Sequence, residues 1–203
     1  MQRLAATLVA EGSSDQVLLP FIDFLLDEHC NLPHATTFAS GLPTGALAGR
    51  IEAAVGLYPC DMLFVHRDVD SSLVSERENE IYSAVKSAAP KVKAICIIPV
   101  RMTEAWLLMD VSAIRRAAGN PAGRVDLTLP TTSRIEKLAD PKQVLLEFLA
   151  RASELSGRRL KRLDLNRARR QISGFMGDYA VLRQLPSFQH FEAQIKNHFL
   201  RAE

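Results

Sequence analysis

The stretch Asp61-Met62-Leu63-Phe64-Val65-His66-Arg67-Asp68-Val69-Asp70 decides how this chain is read. Met62 to Val65 is a short apolar run of strand length, the pattern of a strand buried on both faces. Side chains of an extended chain alternate between faces, so Asp68 and Asp70 point the same way just past the strand end. In an open α/β sheet that edge is where ligands bind. Two carboxylates converging there repel each other, and a divalent cation resolves the conflict.

Working outward, Leu4 to Ala10 reads as another short buried strand, bounded by Glu11-Gly12-Ser13-Ser14-Asp15. A helix is predicted from about Asp15 to His29, where Val17, Leu18, Phe21, Ile22, Leu25 and Leu26 recur at helical spacing. Thr36 to Ser40 follows as a strand, and Ala46 to Leu57 as a helix. Beyond the acidic stretch, Ser71-Ser72 opens a polar helix to about Ala88, and Val92 to Val100 is a β-branched strand. The alternation β-α-β-α-β-α-β implies parallel pairing with right-handed crossovers. A helix opening at Thr103 puts Glu104 in its first turn. From Val111 the pattern is helical, with segments at about 141–155, 166–176 and 187–201. The expected division is a core over 1–110 and a mainly helical C-terminal extension over 111–203.

At 203 residues, 47% hydrophobic and 24% charged, the chain has the composition of a globular protein rather than a disordered or fibrous one. Cys30, Cys60 and Cys96 have neither metal-ligand nor disulfide spacing, which predicts free thiols in a reducing cytoplasm. No apolar run reaches the roughly 20 residues of a membrane span, and the first residues do not read as a signal peptide. His29, His34, His66, His190 and His198 show no zinc-ligand spacing, and His66 is read as structural. No phosphate-binding loop of the G-x-x-x-x-G-K-[ST] type is present.

Glu11-Gly12 after the first strand, with Asp68-Val69-Asp70 after the third, resembles the Toprim fold of topoisomerases, bacterial primases and OLD-type nucleases. Pro99-Val100-Arg101-Met102-Thr103-Glu104-Ala105-Trp106-Leu107-Leu108-Met109-Asp110 is similar to a signature of the DUF4276 family, bacterial Toprim-like proteins discussed in connection with phage or mobile-element defence. The resemblance implies a Rossmann-like Toprim core, with a central mainly parallel sheet flanked by helices. It implies Mg²⁺ (or Mn²⁺) held for phosphoryl-transfer chemistry on nucleic acid. Asp68 and Asp70 are then metal ligands, and Glu11 a further ligand or the general base. Asp15 and Glu104 are expected as second-metal or outer groups, with Glu104 counted among the catalytic acids. Arg67 or Arg101 is expected on the phosphate, since a guanidinium pairs with it bidentately.

Charge is concentrated in the tail. Arg151, Arg158, Arg159, Lys161, Arg162, Arg167, Arg169 and Arg170 stand against Glu154 and Asp164, although the whole chain carries only +2. Such a stretch suits a phosphate backbone through counterion release, DNA ahead of RNA, and it lacks interleaved aromatics for base stacking. A solvated helix or an acidic partner protein explains it nearly as well. The leading reading is a Mg²⁺-dependent nuclease. Two others stay open: a subunit that works with a partner ATPase, and phosphoryl transfer on a nucleotide. A homodimer through the helical tail is also left open.

Overall fold

The computed structural model describes residues 3–69, 73–100 and 102–200. Two compact units result, one running to Ile98 and resuming at Gln189, the other covering Pro99–Phe188.

The first unit is a parallel sheet with helices on both faces. Strands β1 (Leu4–Val9), β2 (His34–Phe38), β3 (Met62–His66) and β4 (Lys93–Ile97) pair in the order β2-β1-β3-β4. Leu8 stands opposite Phe38, Val9 opposite Val65 and His66 opposite Ile97. Helices α1 (Leu19–His29), α2 (Leu47–Leu57) and α3 (Val74–Ala88) are the crossovers that parallel pairing demands. Every residue of β3 is buried, as its unbroken apolar run requires. Leu63 and Val65 pack with Val9 and Cys96 against Leu47, Ile51 and Ala54 of α2 and Ile81 and Val85 of α3. Phe64, on the other face, meets Phe191 of α10 (Pro186–Leu200) edge-on, with ring centroids 6.1 Å apart. Burying each such side chain contributes about 1.5–3 kcal/mol.

Of the element boundaries that differ from the sequence expectation, two turn on a proline. The first helix begins as a 3-10 turn over Ser13–Leu18 and becomes α-helical only at Leu19. Pro20 has no N–H to give to the preceding turn, so it is tolerated only at the α-helical start. Strand β4 stops at Ile97 rather than Val100 because Pro99 cannot donate to a ladder. The Gln194 side chain of α10 covers the outer edge of β4: its Oε1 accepts from Cys96 N at 3.0 Å and its Nε2 donates to Cys96 O at 3.1 Å. The primary amide pairs with the strand as a neighbouring peptide would.

The second unit is helical: α4 (Glu104–Leu107), α5 (Val111–Ala117), α6 (Thr132–Ile135), α7 (Pro141–Ala152), α8 (Gly157–Lys161) and α9 (Leu165–Phe175). Three aspartates supply the helix starts. Asp110 Oδ1 accepts from Ser112 N and Ala113 N, Asp140 Oδ1 from Gln143 N and Asp164 Oδ1 from Arg167 N. Each satisfies backbone donors that have no partner within the helix, typically for about 1 kcal/mol. Trp106 is fully buried; its Nε1 donates to Ser187 Oγ at 2.8 Å, and its ring meets Phe188 edge-on at 5.1 Å. Among the described residues no helix is long and apolar enough to cross a membrane.

Candidate functional site

The strand order makes β1 and β3 the switch point of the sheet. From β1 the chain crosses to β2 on one side, and later β3 and β4 are added on the other. In this doubly wound order, ligands enter the crevice at the carboxyl ends of those two strands. Glu11 stands two residues past the end of β1, and Asp68 two past the end of β3.

The loop after β1 is tied down locally. Asp15 Oδ2 accepts from Gly12 N at 2.9 Å, Asp15 Oδ1 accepts from Ser14 Oγ at 3.2 Å, and Gly12 O accepts from Asp15 N at 3.1 Å. Asp15 therefore shapes the turn that presents Glu11. The Glu11 side chain is 49% exposed, and its Oε1 lies 2.8 Å from Arg67 Nε. Arg67 Nη2 also lies 3.5 Å from Glu80 Oε1 on α3, and Glu80 Oε2 takes Arg77 Nη1 at 2.8 Å. A second guanidinium, Arg50 of α2, donates to the Ala10 carbonyl and lies 3.5 Å from the Glu11 carbonyl. The C-terminal end of β1 is thus flanked by two arginines.

Alternation along β3 explains who meets whom. Leu63 and Val65 face α2 and α3, and Arg67 continues that face to reach Glu80. Phe64, His66 and Asp68 continue the other face. His66 Nε2 accordingly lies 3.4 Å from Asp68 Oδ1; the His66 side chain is 1% exposed and that of Asp68 33%. At its other nitrogen, His66 Nδ1 lies 3.0 Å from the Ile97 carbonyl, which also accepts from Arg67 N at 3.2 Å.

The remaining residues singled out from the sequence are dispersed. Asp70 and Arg101 lie outside the described residues. Glu104 opens α4 in the second unit, where it is 6% exposed and paired with Arg169 of α9. Arg158, Arg159 and Lys161 of α8, Arg162 just after it and Arg170 of α9 are all exposed, and none makes an ion pair among the described residues. His66 stands nearest the acids in the sequence and is read there as structural; Arg50 and Glu80 as charges at the site are not legible from it. The alternation rule that pairs Asp68 with Asp70 also reaches back to His66, so a signal existed for that one. Nothing in the local pattern marks Arg50 or Glu80.

Among the described residues, one trio of ligating groups lies within 4.8 Å of one another: Glu28, His29 and Glu192. His29 closes α1, which returns the chain to the edge where β2 begins, opposite the edge carrying Glu11 and Asp68. His29 Nε2 already pairs with Glu192 Oε1 at 2.8 Å, and Lys196 Nζ sits 3.1 Å from the same oxygen. The trio is an ion-pair network joining α1 to α10.

No family model matches the chain, and neither a search of curated proteins nor one of solved structures returns a match.

Proposed function

We propose that this protein is a divalent-cation-dependent nuclease that hydrolyses phosphodiester bonds, with Asp68 and Glu11 as the acids of its site. One observation carries this reading: the two acids follow the two strands at the switch point of a parallel sheet, with Glu11 beside Arg67 and Arg50. A half-exposed Glu11 and a one-third-exposed Asp68 fit a cation that retains some of its water. Mg²⁺ or Mn²⁺ would be held by Asp68, with Glu11 and Asp70 as the further acids, and supplies charge neutralisation and a more acidic bound water.

The chain's own groups do the rest. Arg67 links Glu11 to Glu80, and its planar fork suits a phosphate oxygen pair. Glu11 serves as a ligand or takes the proton from the attacking water. The exposed cations of α8 and α9 give the second unit a surface for a phosphate backbone, DNA ahead of RNA.

The test is cleavage of supercoiled plasmid and of single-stranded RNA in Mg²⁺, Mn²⁺ or EDTA, with wild type beside Glu11→Ala and Asp68→Asn. Cation-dependent cutting that both substitutions reduce by roughly a hundredfold or more is the expected result. Equal cutting by Asp68→Asn would remove the assignment. Cation binding by wild type without cutting would favour the subunit that acts with a partner ATPase.

A further inference from the structure

We infer that the outer edge of β4 carries a second ligand site, for an adenine nucleotide whose base pairs with the Ala94 peptide and whose phosphate lies among Lys93, Asn197 and His198. The site belongs to the sheet unit and sits at the start of β4, whereas Asp68 lies beyond His66, which pairs with Ile97 at that strand's end. It stands independently of the cation reading. It starts from the backbone accounting of an edge strand. Ile97 O turns inward and accepts from Arg67 N, while Cys96 N and O turn outward to the Gln194 amide. Residues two apart on a strand face the same way, so the N–H and C=O of Ala94 also point outward. Neither has a partner among the described residues.

That open peptide lies against a cavity of about 440 Å³, within the ~300–1,000 Å³ of small-ligand sites, lined also by Tyr82, Lys93, Asn197 and His198. A second cavity of about 300 Å³ shares Tyr82, Lys93 and Ala94 and adds Lys86 and Lys91. No carboxylate lines either cavity, and none of the three lysines makes an ion pair among the described residues. Burial, and secondarily Lys93, disfavours the proton on His198, a setting that a bound anion relieves. The free length of edge decides between a base and an added strand. On one side Gln194 occupies Cys96 and takes the Tyr82 hydroxyl at 3.2 Å; on the other, Val92 N already donates to Ala89 O at 3.0 Å. An incoming strand would find one residue to pair with, whereas a planar base needs only one donor and one acceptor. Gln194 shows that a flat donor–acceptor pair docks on this edge, and adenine presents such a pair in its amino group and the neighbouring ring nitrogen. The Tyr82 ring, 43% exposed, supplies an aromatic surface for the base.

Titration calorimetry and ¹⁵N NMR of the full-length protein with AMP test this, in EDTA so that no divalent cation contributes. AMP should bind and shift the Ala94 amide and the His198 ring. N6,N6-dimethyl-AMP, which lacks the amino donor, should bind at least about tenfold more weakly. Lys93→Ala should weaken AMP about tenfold and leave adenosine unchanged. Ala94→Pro removes the outward N–H at a position where an edge strand tolerates proline, and should abolish the preference for AMP over its dimethyl analogue. If that variant does not fold, the Ala94 amide shift in wild type and the Lys93→Ala titration decide alone. Absence of AMP binding, or AMP bound without a shift at Ala94 and untouched by Lys93→Ala, would overturn the site. Equal binding of AMP and inorganic phosphate would overturn base recognition, and an acidic extended peptide that shifts Ala94 where AMP does not would give the edge to a strand instead. None of these outcomes touches the nuclease assignment, which is read from cleavage by Glu11→Ala and Asp68→Asn.

Discussion

Arg67 is the residue on which the site's charge balance turns. It lies between Glu11 and Glu80, both substantially exposed, so the pairs contribute at most about 1 kcal/mol to stability. Arg67→Ala should therefore fold with little loss. It should bind Mn²⁺ more tightly, because a competing positive charge is gone, yet cleave nucleic acid with a raised KM. Equilibrium denaturation, calorimetry and steady-state kinetics on one preparation check the three parts. Glu104 presents the opposite case. Its carboxylate is buried against Arg169, so Glu104→Ala leaves a guanidinium without its charge partner and should cost about 3–5 kcal/mol, read as a lower denaturation midpoint. From the sequence Asp68 was legible because its spacing from the strand end fixes its direction. Glu104 was legible only as a first-turn acid, since Arg169 stands in a helix far along the chain and no local pattern links them.

The alternation of four strands with three helices was readable because each strand is a short β-branched or apolar run and each helix keeps its 3.6-residue period. Strand order was not, since it depends on which faces the helices cover. Nor was the closing of the sheet edge, because Gln194 lies in a segment expected to belong with the helical extension, whereas α10 from Gln189 onward belongs to the sheet unit. Gln194→Ala should expose the Cys96 peptide at the edge of β4, where it has both a donor and an acceptor to satisfy. A loss of about 1–3 kcal/mol is expected, together with concentration-dependent self-association visible in light scattering.

Over the whole molecule, stability should follow pH through a few buried and partly buried groups. Burial, and secondarily Lys93, holds His198 below its usual 6.5. The unfolded chain then binds that proton first, so stability falls as pH drops below about 6.5. Burial also pushes the Cys60 thiol up to about 11 and the Cys96 thiol up to about 12. The unfolded chain loses those protons first, so stability falls again as pH rises past 9.0. Denaturation midpoints measured from pH 5 to 11 should be highest between these limits; His198→Gln should flatten the acid side alone. If the exposed cations of the second unit contact a phosphate backbone, replacing Arg162 and Arg170 by Ala should lower the slope of log affinity against log salt by about 1.8 on duplex DNA.

The most direct measurement is the cleavage rate as a function of Mn²⁺ concentration, for wild type and Asp68→Asn, beside the Mn²⁺-induced rise in Tm of each. In wild type the rate should saturate with the same half-point as the stabilisation, and EDTA should abolish it; in Asp68→Asn both responses should vanish while the fold persists. Cutting that continues in EDTA, or proceeds undiminished in Asp68→Asn, would contradict a cation site at the ends of β1 and β3.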